Sequence, residues 1–229
     1  MKLRRIIAAA LALMVVPAMA LPAPAVAQAG VDWTARVERT AEGGHRMGNP
    51  RAPLKLVEYG SIACSHCADF EAVAGDEIRD HVRAGRLSFE YRPVVLFPSD
   101  PGIYLLLNCQ APDKFFPTLH TLYETQQSWM AKETAKEAEL QAEVARSSLR
   151  AAMPSYVRAS GVDALFRQNG LTDPQIAACL TSETGVQRLV ATMEQAQRAG
   201  IDGTPTFLLN GEKLEIAGWT DLLVRLRQP

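Results

Sequence analysis

Leu54-Lys55-Leu56-Val57-Glu58-Tyr59-Gly60-Ser61-Ile62-Ala63-Cys64-Ser65-His66-Cys67 is the stretch that decides how this chain is read. Its first six residues have the apolar content of a strand, and a C-x-x-C follows where Phe70, Val73, Ala74, Ile78 and Val82 begin to recur at helical spacing. That helix runs out near Gly85, and residues 86–97 carry a second strand, rich in Leu87, Phe89, Tyr91, Val94 and Val95 and broken by Pro93. Strand, helix and strand in this order predict a βαβ unit. Two cysteines separated by two residues at a helix N-terminus can close a small disulfide ring. The first of them faces the positive end of the helix dipole, which favours its thiolate.

Downstream of the unit the character changes at Pro98-Ser99-Asp100-Pro101-Gly102. A helical tract follows, with segments over 103–109, 114–130, 131–153 and 155–168, then another over 175–180 behind Thr172-Asp173-Pro174, where proline marks a helix start. The charged run 132–143 reads as a solvated helix face. A longer helix over about 183–199 places Val186, Leu189, Val190, Met193 and Ala196 on one face and stops at Gly200. Strand language then returns. Gly203-Thr204-Pro205-Thr206 leads into Phe207-Leu208-Leu209, and Asn210-Gly211 between two short apolar runs predicts a β-hairpin. A helix over 219–226 closes the order. Upstream, residues 28–52 are polar and glycine-bearing, and they read as a loosely ordered lead-in too short for a separate domain. The expectation is an α/β domain over 53–229, a mixed sheet flanked by helices, with a helical subdomain inserted over about 102–182.

Composition fits this reading. The chain has 229 residues, 48% hydrophobic and 21% charged, which excludes a disordered or fibrous protein. Lys2, Arg4 and Arg5 precede an apolar run from Ile6 to Val16 and an Ala25-Val26-Ala27 sequence, the pattern of a secretory leader cleaved after residue 27. Without its three basic residues the formal charge moves from −1 to −4, and no basic patch for nucleic acid is evident. Export would place all four cysteines where disulfides persist.

The cysteines group as a close pair, Cys64 and Cys67, and a distant pair, Cys109 and Cys179. A zinc site normally adds a second close couple to a C-x-x-C, whereas Cys109, His120 and Cys179 stand apart; haem attachment needs His at the position held by Ala68. No metal and no cofactor is therefore expected, and redox exchange is. Cys64 at the helix edge would be attacked, and Cys67 one turn in would resolve. His66 between them would favour the Cys64 thiolate through its imidazole. Glu58 shares its strand parity with Leu54 and Leu56, and would point into the space behind the disulfide as a buried proton relay for Cys67; a strand-end carboxylate reaching solvent is the other reading. Pro205 is a plain turn proline on base rate, but a cis bond there would set the Thr204 backbone beside the disulfide to pair with an extended substrate. Cys109 and Cys179 read as a bridge closing a loop of about 70 residues, or as two buried small hydrophobes.

Glu58-Tyr59-Gly60-Ser61 ahead of Cys64-Ser65-His66-Cys67, with Gly203-Thr204-Pro205-Thr206-Phe207 and Asn210-Gly211 far downstream, resembles the DsbA-like thiol:disulfide oxidoreductases of the thioredoxin-fold superfamily. The resemblance covers about 53 to the C-terminus. It implies a thioredoxin fold with a helical insertion capping the site, a cis Pro205, Cys64 as nucleophile and Glu58 as the family's buried acid. It also implies a monomeric periplasmic enzyme that acts on reduced exported proteins and is reoxidised by a quinone-linked membrane partner. Ser-His replaces the more usual Pro-His dipeptide, and Thr204 resembles the isomerase branch. An isomerase or reductase, and a non-catalytic binding module or holdase, are the competing functions.

Overall fold

The computed structural model describes residues 31–216 and 219–227; the leader expected over 1–27 lies outside the described residues. Six strands form one mixed sheet: β1 (Val37–Arg39), β2 (His45–Gly48), β3 (Leu54–Gly60), β4 (Leu87–Pro93), β5 (Thr206–Leu209) and β6 (Glu212–Lys213), in the spatial order β1-β2-β4-β3-β5-β6. Helix α1 (Ser65–Arg83) crosses over between β3 and β4, which leaves those two strands parallel, with Leu56 opposite Phe89 and Glu58 opposite Tyr91. On its other side β3 pairs antiparallel with β5, Glu58 opposite Phe207. Residues 56–60 are all buried, as expected of a strand with neighbours on both edges and helices on both faces.

The alternation of β3 sorts its side chains. Leu56 faces α1 and α10 (Trp219–Arg227), packing with Phe70, Ile78, Val82, Leu87, Phe89, Phe207 and Leu222. Val57 and Tyr59 face the opposite side and pack with Ala196 of α9 (Glu183–Arg198). Glu58, in register with Leu56, therefore lies on the α1 face.

Between β4 and α9 the chain inserts seven helices: α2 (Asp100–Cys109), α3 (Phe115–Glu124), α4 (Gln126–Thr134), α5 (Glu137–Arg146), α6 (Leu149–Ser160), α7 (Asp163–Gln168) and α8 (Asp173–Leu180). Their apolar faces join the largest core, built on Ile103, Leu106, Leu107, Phe115, Leu122, Val157 and Phe166, which also takes in Cys64 and Cys67. Thr172 caps α8 in a reciprocal box with Gln175, behind which Pro174 enters the helix. The break expected near Pro154 does not occur. Ser148 Oγ accepts from Ala151 N at 3.1 Å to start α6, and the helix runs through the proline.

The lead-in differs from expectation. It is not loose: β1 and β2 form a hairpin, and β2 adds to β4 with Met47 opposite Phe89 and His45 opposite Tyr91. Met47 and His45 are buried while Glu38 and Arg46 pair on the outer face, so this polar segment earns its order from partners some 40 residues away rather than from its own pattern.

Candidate active site

The C-terminal end of β3 delivers the chain into a turn, and the turn hands it to α1. Gly60 is required at this exit, because a Cβ there would lie 2.5 Å from Tyr91 Cε2 and 3.0 Å from Glu58 Oε1. Cys64 N donates to Ser61 O at 3.2 Å, and Cys64 occupies the N-cap position of α1 with an extended backbone. Its sulfur sits where the unpaired N–H groups of the first turn converge. Cys67, one turn later, is fully buried; both thiols are free.

Far along the chain, the Thr204–Pro205 peptide is cis, and the Cys64 thiol donates to Thr204 O at 3.4 Å. Thr204 Oγ1 is buried with no partner in the regular hydrogen-bond network and reaches the same sulfur. The Cys64 thiol is lowered from its ordinary value near 9 to about 5. The Cys67 thiol donating to the Cys64 sulfur is the largest cause; Thr204 and the backbone N–H groups of Cys67 and His66 add to it, against the cost of burial. Cys67 moves the other way. Burial raises it first, the hydrogen bond its thiol donates to the Cys64 sulfur raises it further, and negative charge on Glu58 or Cys64 adds to this. The two sulfurs are thus separated into a thiolate and a thiol, the division of labour that disulfide exchange uses.

Glu58 is 3% exposed and its Oε1 has no hydrogen-bond partner. Burial holds its carboxyl well above the usual carboxylate range, with Glu71 and Cys64 adding to the shift and Cys67 opposing it. A neutral carboxyl next to a buried thiol can give or take one proton. His66 differs from expectation. Its side chain is exposed, with no hydrogen bond or ion pair among the described residues, and what reaches Cys64 is its backbone N–H.

Three buried residues missed in the sequence hold the turn from the insertion side. Asp100 accepts from Ala63 N at 3.0 Å and from Ser61 Oγ, Leu96 N and Phe97 N at 2.9 Å each. Gln126 Nε2 donates to Ile62 O at 2.8 Å and to Cys64 O at 3.0 Å. Tyr123 OH donates to Ser61 O at 3.2 Å and lies 3.3 Å from Tyr91 OH. In the sequence Asp100 marks only the change to the helical tract, with nothing to indicate a contact 37 residues away.

Cys109 and Cys179 form a disulfide with 6.2 Å between Cα atoms, joining α2 to α8 across a separation of 70 residues. It stays within the insertion. Among the described residues no group of three or more His, Cys, Asp or Glu side chains is placed to hold a metal ion, and no helix is long and apolar enough to cross a membrane.

The family model described as Thioredoxin matches residues 40–223. A Rickettsia bellii protein named protein-disulfide oxidoreductase is 22% identical over 172 residues, which are 74% of this chain but 58% of that protein's length. Among solved structures, the protein-disulfide isomerase of Novosphingobium aromaticivorans aligns with a TM-score of 0.74 and 24% identity, over 81% of this chain and 98% of its own. Wolbachia pipientis alpha-DsbA1 aligns at 0.58 with 18% identity, and Bacillus subtilis BdbD at 0.56 with 16%; both cover 79% of this chain and 89% of theirs. These structural likenesses establish the fold.

Proposed function

The chain belongs to the thioredoxin family and carries the fold of its DsbA-like members, and from that premise we propose that it is a thiol:disulfide oxidoreductase that introduces disulfides into exported proteins. The observation that carries the reading is the split between Cys64, lowered to about 5, and the buried, raised Cys67. A stable Cys64 thiolate favours the reduced enzyme, which makes its disulfide a stronger oxidant. In the reaction a substrate thiolate attacks Cys64 Sγ of the Cys64–Cys67 disulfide. The S–S bond breaks, its electron pair passes to Cys67, and Cys67 takes a proton from Glu58. A second substrate thiolate then attacks the substrate sulfur of the mixed disulfide, Cys64 leaves as thiolate, and the substrate departs oxidised by two electrons. Thr204 and Pro205 form the rest on which an extended substrate segment lies.

In this reading residues 1–27 are a cleaved leader, the enzyme works as a periplasmic monomer, and a quinone-linked membrane partner reoxidises it. A disulfide isomerase is the second reading, favoured by Thr204 ahead of the cis proline. Parallel refolding of reduced and of scrambled ribonuclease separates them. The expected result is oxidation of the reduced form with little unscrambling. Efficient unscrambling would establish the isomerase, and activity in neither assay would leave a binding module.

A further inference from the structure

The hydrogen bonds that grip the active-site turn lead to a second buried acid. Asp100 takes its four bonds from Ser61, Ala63, Leu96 and Phe97, and all four partners donate, as a carboxylate requires. Glu133 of α4 stands beside it. Although it belongs to the charged run 132–143, it is half-buried, and its Oε2 is buried with no hydrogen-bond partner among the described residues. Seven residues, about two turns, separate it from Gln126, so the two side chains share one face of α4. At one end of that face Gln126 holds Ile62 O and Cys64 O. At the other, the Ser99 hydroxyl reaches Glu133, next to Asp100 in the chain. The other titratable groups facing Glu133 are Glu137 on α5 and the Tyr156 phenol on α6, and no cation pairs with it among the described residues. Burial raises its carboxyl to about 7 against the Ser99 hydrogen bond, and the Asp100 and Glu137 charges add to the rise.

We propose that Glu133 is a positioning residue of the exchange reaction, whose charge, acting through Asp100, sets how well the turn from Ser61 to Cys64 supports the Cys64 thiolate. It touches neither sulfur nor substrate, and the role rests on the exchange reading above. While Glu133 is neutral, Asp100 keeps its four donors with no like charge beside it. Once Glu133 ionises, two carboxylates share a half-buried space with no cation between them. Parting relieves them, which loosens Asp100 from Ala63 N and Ser61 Oγ, and the added negative charge itself opposes a thiolate at Cys64. Both effects disfavour the dithiol, so the disulfide becomes a weaker oxidant as Glu133 ionises. The coupling is reciprocal: the Cys64 thiolate raises Glu133, and forming the Cys64–Cys67 disulfide, which removes that thiolate, lowers it again.

The test is the equilibrium in which the dithiol and glutathione disulfide give the Cys64–Cys67 disulfide and two glutathione thiols. It is followed across the neutral range in the full chain and in its Glu133→Gln variant, and the ionisation of glutathione cancels in the ratio of the two constants. Well below the Glu133 midpoint near 7 the two chains should agree; well above it the variant should favour its dithiol about fivefold more than the parent does. A ratio that stays constant with pH would overturn the proposal, because a merely structural residue shifts both ends alike. So would a ratio that moves the other way. Should the variant fail to fold, carbon-13 NMR of the parent decides: the Glu133 carboxyl should titrate about 0.7 pH unit higher in the dithiol form than in the disulfide form, the same fivefold factor, and equal midpoints would overturn the coupling. A parent that reaches no equilibrium with glutathione at any pH would remove the exchange reading, and the carboxyl titration, on chain reduced with a phosphine, would still decide the coupling.

Discussion

Replacing Cys67 with Ala removes the largest cause of the Cys64 acidity, the hydrogen bond from the Cys67 thiol to the Cys64 sulfur. The fall from near 9 to about 5 corresponds to about 5 kcal/mol in favour of the thiolate. A hydrogen bond to a charged group accounts for about 1.5–3 kcal/mol, or about one to two pKa units. Cys67→Ala should therefore titrate at about 6 to 7, the remainder being held by Thr204 and the first-turn N–H groups. Absorbance of the thiolate at about 240 nm reads this directly. In the variant it reports one group, because Cys109 and Cys179 are bridged. The same shift has a stability signature. Between about 5 and 9 the unfolded reduced chain holds a proton on Cys64 that the folded chain does not, so Cys64 contributes a rise of about 1.4 kcal/mol per pH unit across that window, a share lost as pH falls through 5. The oxidised parent lacks this share but keeps that of Glu58, so the difference in stability between the two forms should show the slope. A variant midpoint still at 5 would show that the helix start and Thr204 suffice without Cys67, and a parent midpoint near 9 would refute the account of the site altogether.

The raised Glu58 carboxyl gives the opposite sign: its stabilising share is complete below the unfolded value near 4.5 and declines as pH rises toward its folded value. Glu58→Gln should remove that decline, raising stability at pH 7 in urea unfolding while slowing disulfide exchange; a variant less stable than the parent at pH 7 would contradict the burial of a carboxyl without a partner. Gln126→Ala takes the Gln126 donor from buried Ile62 O, while Cys64 O retains the Ala68 N–H at 3.2 Å, so equilibrium unfolding should show a loss of about 1–3 kcal/mol. Replacing both Cys109 and Cys179 with Ala frees a 70-residue loop in the unfolded chain and should cost about 4 kcal/mol on chain entropy, with the Cys64 titration unmoved because the bridge lies within the insertion. A displaced titration would mean that the bridge shapes the site.

What could be read from the sequence was what local pattern determines. The β3–α1–β4 order followed from periodicity, and the β5–β6 turn from Asn210 and Gly211, which take φ of 52° and 91° as a two-residue hairpin demands. Cys64 and Cys67 were legible because their spacing carries the geometry. The rest depended on distant partners. Strands of three and four residues such as β1 and β2 have no room to display alternation, and their order comes from β4. Gln126 sits in the polar run Gln126-Gln127-Ser128 and looks like any surface residue until α4 turns it onto Ile62 and Cys64. His66 misled in the other direction: adjacency in sequence suggested an imidazole at the sulfur, but the first turn of α1 aims that side chain outward.

The active-site turn is gripped from outside itself: Asp100, Tyr123 and Gln126, all beyond β4, provide hydrogen-bonding groups for its backbone from Ser61 to Cys64. Cys64-Ser65-His66-Cys67 is therefore not a transferable cassette. Grafted onto a smaller thioredoxin scaffold without the helical insertion, the tetrapeptide would arrive with its sulfurs but without the clamp that fixes their spacing to Thr204. Chimeras that exchange the insertion along with the tetrapeptide are the ones in which reactivity should travel with the graft.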